Sequence, residues 1–245
     1  CASASLLENY IDSVSDDYKL SIAVGTGNEG IAGRHREGKL ANRAIEEVEF
    51  IVSPYERGIN LQIWKHFEDT FTYEIVTPTG QIIGPISESL SVARYITANS
   101  IIVAEYGKPS PFNSLQEIYI SFIPQRDYIP DGVWKIRLLT RNIVNGEYNM
   151  WLPVSEATNT GTFFQIPSTN ISLTIPSTAK NVISVGAYNS ENNSFASFSG
   201  RGYNRNDLVK PDIVAPGVNI NTASVGGGYD VRTGTSFATP FVTGG

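Results

Sequence analysis

Cysteine is nearly missing from this chain. Cys1 is the single one in 245 residues, so no intrachain disulfide can form. A terminal thiol with no fixed base beside it lacks the environment that activates a thiolate, and Cys1 reads as a junction residue rather than a nucleophile. Histidine is almost as scarce, with only His35 and His66 to serve proton transfer. No apolar run approaches the roughly 18 residues of a membrane-spanning helix. Lysine and arginine do not cluster and the formal net charge is −6, which excludes a basic face for nucleic acid or an anionic membrane. The first residues, Cys1 to Ser5, have no basic n-region and give no signal peptide. Repeats and low-complexity tracts are absent as well. The sequons at Asn170 and Asn192 are short enough to arise by chance.

What remains is 41% apolar, enough for one large domain or two smaller ones. Ser5 to Ser15 predicts a helix: Leu6, Leu7, Tyr10, Ile11 and Val14 recur at helical spacing, Ser5 with Glu8 forms a capping-box pattern, and Asp16-Asp17 ends it. Leu20 to Val24 is a short apolar run that suits a buried parallel strand. Gly25-Thr26-Gly27-Asn28-Glu29-Gly30 follows, and it has two readings. It fits the glycine spacing of a dinucleotide fingerprint, with Glu46 or Glu49 at the distance of a ribose-binding acid, yet Gly33 argues against the helix that fingerprint needs. Alternatively Asn28, at the C-terminal end of a parallel strand, is a turn residue or an amide able to donate to an oxyanion.

From about residue 45 the texture changes. Val48–Val52, Asn60–His66, Phe71–Val76, Ser91–Tyr95, Ile101–Glu105, Glu117–Ile123, Trp134–Thr140 and Tyr148–Leu152 are short and mostly rich in β-branched and aromatic residues. Ser53-Pro54, Pro78-Thr79-Gly80, Gly84-Pro85, Pro109-Ser110-Pro111, Pro130-Asp131-Gly132 and Asn145-Gly146 punctuate them. The pattern predicts an antiparallel sandwich over 45–155, of the eight-stranded jelly-roll kind, whose aromatics serve packing or bind carbohydrate. After Pro153 the texture reverts: a loop over Asn159–Ser168, then apolar runs Ile171–Ile175 and Val182–Val185 that would re-enter the first sheet. Asp212, ahead of Ile-Val-Ala-Pro-Gly, reads as structural.

Small residues crowd around Ser236 near the end of the chain. Pro240 cannot donate a backbone hydrogen bond, so a helix must begin near Ser236 or bend there. A serine at that point is either an N-cap or a nucleophile beside free N–H groups and the positive end of the dipole.

Gly234-Thr235-Ser236-x-Ala238-x-Pro240-x-x-Thr243-Gly244 resembles the nucleophile motif of subtilisin-like serine proteases (the subtilases) at every specified position. Helix, strand and Gly27-Asn28-Glu29-Gly30 resemble the segment that carries their oxyanion asparagine. Phe195–Gly202 and Lys210–Gly217 resemble the stretches between the two, in the right order. The resemblance implies an α/β fold with a partial subtilisin-like parallel-sheet core over 1–44 and 156–245, interrupted by the antiparallel insertion. It implies a serine endopeptidase acting on a peptide or protein substrate, with Ser236 as nucleophile and Asn28 in the oxyanion hole. Gly25, Thr26, Gly27 and Thr235 would bind substrate. No cofactor is called for, and no residue is assigned to a metal. The same resemblance requires an Asp and a His upstream of the first helix, and neither motif is present. His35, flanked by Arg34 and Arg36, and His66, in an insertion strand, stand in no comparable context. The expectation is an internal piece of a longer protease, inactive alone, whose partner is the N-terminal portion or prodomain of the same protein. An insertion after Gly-Asn-Glu-Gly-x-x-Gly-Arg-His is also similar to the clostridial Csp-type germination proteases, which implies processing of a spore cortex-lytic hydrolase. A pseudoprotease acting as a binding scaffold and a carbohydrate-binding β-module are the alternatives from other classes.

Overall fold

The computed structural model describes residues 5–108, 114–203 and 208–245. Cys1 and the Pro109–Pro111 turn lie outside the described residues. The chain forms two units, one of Cys1–Ala32 with Thr169–Gly245 and the other of Gly33–Ser168.

The first unit begins with α1 (Leu6–Tyr18). Its capping box is made: Ser5 Oγ accepts the Glu8 N–H at 3.2 Å, and Glu8 Oε2 accepts the Ser5 N–H at 3.0 Å. The expected apolar stripe does not anchor it. Leu6 is 89% and Tyr10 68% exposed, while Glu8 is buried and accepts a hydrogen bond from Thr178 Oγ1. One helical turn on, Asp12 Oδ1 accepts the Asn181 N–H at 2.8 Å. An acidic row at i and i+4 therefore docks this helix. The strand β1 (Ala23–Gly25) follows.

The second unit is antiparallel. Its strands are β2 (His35–Lys39), β3 (Ile45–Val52), β4 (Ile59–His66), β5 (Thr70–Val76), β6 (Ile82–Ile86), β7 (Val92–Ile96), β8 (Ser100–Tyr106), β9 (Leu115–Pro124), β10 (Gly132–Asn142), β11 (Glu147–Trp151) and β12 (Phe163–Phe164). They build one sheet of order β12-β3-β10-β5-β6 and another of order β2-β11-β4-β9-β8-β7. Inward positions alternate as the pattern requires: in β4, Ile59, Leu61, Ile63 and Lys65 are buried in turn. One large apolar cluster, with Phe50, Tyr73, Phe122 and Trp134 fully enclosed, fills the unit. Buried Asp69 fixes the predicted Asn145-Gly146 turn by accepting the N–H groups of Val144, Asn145 and Gly146 at 2.7, 2.9 and 2.8 Å.

This unit extends beyond 45–155 at both ends. β2 pairs with β11, and β12 pairs with β3, so residues expected in the other unit belong here. The Gly84-Pro85 pair, read as a turn, sits inside β6, which is an edge strand and tolerates a missing donor. The two ends of the unit are stitched together: the Phe164 N–H donates to the Gly33 carbonyl at 2.9 Å and the Ser168 N–H to that of His35 at 2.8 Å.

The first unit resumes with β13 (Ile183–Asn189), β14 (Ser194–Phe195), β15 (Gly202–Tyr203), β16 (Val209–Lys210), β17 (Ile213–Pro216), β18 (Ile220–Ala223) and β19 (Tyr229–Arg232), then α2 (Thr235–Thr243). β13 is the hub, parallel to β1 and β17 and antiparallel to β14. The Ile171–Ile175 run forms no strand. Ile171 takes φ 54°, which breaks an extended path, and Pro176 has no N–H to offer a ladder. α2 lies against β1, β13 and β17 over a core of Val185, Ala187, Ala196, Ala215 and Ala238.

Candidate active site

The segment after β1 is held from several sides. The Thr26 N–H donates to the Val185 carbonyl at 3.0 Å, and the Thr26 carbonyl accepts the Thr174 N–H at 3.1 Å. Gly27 has φ +88°, and a Cβ there would lie 2.4 Å from Thr174 Oγ1, so both backbone and space demand glycine. After Gly30 the chain turns into β2 rather than a helix. No helix N-terminus is available to a pyrophosphate, which overturns the dinucleotide reading. Glu49 instead pairs with Lys135 at 2.7 Å, and Glu46 accepts the Tyr148 hydroxyl at 3.0 Å.

The β18–β19 ribbon leads into α2. The N-cap is Gly234, with no side-chain capping bond, so Ser236 is an exposed second helical residue and not a cap. The helix runs on through Pro240, whose missing donor would have met the Ser236 carbonyl. Gly25 brings β1 directly under the helix: a Cβ there would stand 3.0 Å from Thr239 Oγ1 and 3.1 Å from Thr235 Oγ1.

The two predicted halves of the site meet at Thr235. Its backbone N–H donates to Asn28 Oδ1 at 3.0 Å, and its Oγ1 accepts the Gly27 N–H at 3.2 Å. The Asn28 amide oxygen is thereby committed to the helix start, leaving Nδ2 as the donor end. The Phe237 N–H goes to the Gly234 carbonyl at 3.1 Å. Such an arrangement offers a hydroxyl, an amide donor and the positive end of a helix in one place, the chemistry that stabilises an oxyanion.

Gly25, Gly27, Asn28, Thr235 and Ser236 come together here. Thr26 is buried and its Oγ1 lies 3.3 Å from Ser199 Oγ, behind the segment rather than at its surface. Both histidines lie in the antiparallel unit. His35 is buried, with Nε2 2.8 Å from Asn149 Oδ1 and its ring stacked on Trp151 at 4.9 Å. His66 ends β4, its carbonyl accepting from Lys65 Nζ at 3.2 Å. Asp212 braces the sheet: Oδ2 accepts from the Ser184 N–H at 2.7 Å and Oγ at 2.6 Å, and from Lys210 Nζ at 2.6 Å. Burial pushes its pKa up, but the hydrogen bonds from Lys210 and Ser184 outweigh that and hold it below the usual carboxylate range. Sequence reasoning missed Thr174 as the buttress of Gly27, because it lies in an irregular stretch that was read as a strand. Among the described residues no group of three or more His, Cys, Asp or Glu is arranged to hold a metal, and no helix is long and apolar enough to cross a membrane.

Residues 139–245 match the model of the subtilase family. That match begins inside β10, although the parallel unit resumes only at Thr169. The structure is similar to that of the CspB protease of Clostridium perfringens, with TM-score 0.89 and 38% identity, covering 99% of this chain and 50% of that one. Subtilisin BL of Lederbergia lenta is 39% identical over 94 residues, 37% of this chain and 32% of that protein. Subtilisin-like protease 1 of Pseudogymnoascus destructans is 42% identical over 71 residues, 28% of this chain and 16% of that protein. The chain thus spans half the length of this structural relative and less than a third of these two curated ones.

Proposed function

We propose that this chain is the nucleophile-bearing part of a subtilisin-type serine endopeptidase. The observation that carries the reading is the Thr235 N–H to Asn28 Oδ1 bond, which ties an amide donor to the first turn of the helix bearing exposed Ser236. Ser236 Oγ attacks the scissile carbonyl, and the carbonyl oxygen becomes an oxyanion held by Asn28 Nδ2 and the Ser236 N–H. The C–N bond then breaks, the amine leaves with the proton taken from the hydroxyl, and water hydrolyses the acyl-enzyme. Gly25, Gly27 and Thr235 form the substrate side, with Thr26 supporting them from behind. The base and its orienting carboxylate come from outside these 245 residues, in the N-terminal portion or prodomain of the same protein. His35 is engaged by Asn149 and Trp151, which supports that division of labour. The Gly33–Ser168 unit is read as an inserted jelly-roll-like domain. The narrower reading, that the substrate is a spore cortex-lytic zymogen, rests on the resemblance of the sequence to the Csp-type germination proteases.

The test is labelling with a fluorophosphonate. The complete protein should label at Ser236, and the 245-residue chain alone should not, because an unassisted serine hydroxyl is a weak nucleophile. Labelling of the chain alone would place the base within it. Failure of the complete protein to label or to cleave peptides would favour the pseudoprotease scaffold.

A further inference from the structure

Between β3 and β4 the chain turns through Pro54 and Tyr55. Tyr55 takes φ +68°, a conformation that favours glycine or asparagine and is a true outlier for a bulky aromatic residue. Strain of this kind persists only where the surroundings impose it. They do so here. Glu56, the next residue, is buried: its Oε1 accepts the Asn159 N–H at 2.7 Å and the Thr162 hydroxyl at 2.6 Å. The Glu56 carbonyl accepts the Ile129 N–H at 2.9 Å, and Asn159 Nδ2 donates to the Pro54 carbonyl at 2.9 Å.

This clamp does not bury the tyrosine. Tyr55 is 73% exposed and meets the 42% exposed Tyr128 edge-on, ring centroids 5.4 Å apart. Burial would explain an aromatic ring at a strained position, but little of this ring is buried. The same two loops carry Arg57, Arg126 and Asp127, all exposed and none in an ion pair or side-chain hydrogen bond among the described residues. On the strand faces of the same unit, by contrast, Lys135 and Arg137 are bonded to Glu47, Glu49 and Glu74.

We infer that the Tyr55–Tyr128 step is a binding platform for a neutral oligosaccharide. A pyranose ring offers an apolar C–H face to an aromatic side chain and hydroxyls around its rim. Guanidinium groups can donate to those hydroxyls and a carboxylate can accept from them. The mixed signs of Arg57, Arg126 and Asp127 suit a polyhydroxyl ligand better than an anionic one. Rigid presentation of the rings lowers the ordering cost of binding. The platform lies wholly within the antiparallel unit and does not depend on the protease reading.

The 245-residue chain should be titrated with cellohexaose and with chitohexaose by calorimetry, following its amide spectrum in parallel. At least one should bind saturably, with shifts confined to residues around 53–58 and 125–131. Tyr55→Asn suits the positive φ and should keep the melting temperature at or above that of the wild type, while weakening binding by about tenfold, the scale of one lost aromatic contact. Tyr55→Phe should retain binding, and Asp127→Ala should weaken it. Lack of binding to both sugars would overturn the proposal. So would sugar binding that Tyr55→Asn leaves unchanged, or saturable binding only to a proline-rich peptide run as a control, which would make the step a peptide site.

Discussion

The two units are built on opposite principles. Among the described residues, the antiparallel unit encloses a cluster of twenty-seven buried apolar residues, with Trp134, Tyr73 and Phe50 among the largest, whereas the cluster of the parallel unit has five, four of them alanine. Buried area contributes about 25 cal/mol per Å², so the large side chains concentrate stabilisation in the antiparallel unit. The small ones do something else. β1 can run beneath α2 only because Gly25 leaves no Cβ between them, and that approach lets Asn28 reach Thr235. Meanwhile Leu6, Tyr10, Val225 and Tyr229 of the parallel unit remain exposed. The candidate site is assembled where backbones come close, and stability where side chains are large.

The comparison can be broken at several points. Ser236→Ala in the complete protein should lower kcat for a peptide amide by about 10⁶ with an unchanged melting temperature, since only an exposed hydroxyl is lost. Normal cleavage by that variant would remove the chemistry from the parallel unit. Trp134→Ala should cost about 3–5 kcal/mol in the denaturant-unfolding transition of the antiparallel unit, because a fully enclosed ring is deleted and the Pro130 carbonyl loses its partner at 2.9 Å. A loss well under that would mean the large core is loosely packed.

Asn28 sharpens the contrast. Asn28→Asp keeps an oxygen for the Thr235 N–H but removes the donor, so kcat should fall about 10²–10³ with KM nearly constant. Asn28→Ala should lose as much activity and, in addition, some thermal stability. A pure KM effect in either would assign Asn28 to substrate binding. The smallest effect belongs to Asp212. Its lowered pKa contributes stability that is complete above the unfolded value of about 3.9 and is lost as pH falls through the lower folded one. Asp212→Asn should therefore flatten the acid limb of a melting-temperature profile, modestly, since the carboxylate is partly exposed. An unchanged limb would show that the Lys210 pair does not brace the sheet.

Local chemistry made much of the fold legible. Ser5 and Glu8 announced the helix start, and all eight alternating segments became strands with no end shifted by more than three residues. Elements defined by their partners were not legible. β2, His-Arg-Glu-Gly-Lys, has no apolar alternation and is a strand only through its pairing with β11. The stripe of α1 pointed to a buried apolar face, yet Glu8 and Asp12 found backbone and side-chain donors on a distant loop. In the candidate site, the types of Ser236 and Asn28 were readable from their motifs. Their junction was not: Thr235 and Asn28 are 207 residues apart in sequence.

The stitching of Gly33 to Phe164 and of His35 to Ser168 has a consequence for the polymer physics of the whole chain. Joining β1 to β13 across an unstructured detour of that length would carry a loop-closure cost that grows with the logarithm of its length. Once the detour folds, its two feet stand within hydrogen-bonding reach, and the host strands meet as though across a short connector. The insertion is then nearly invisible to the topology of the sheet it interrupts. A few glycines and serines in place of residues 33–168 would span the same gap.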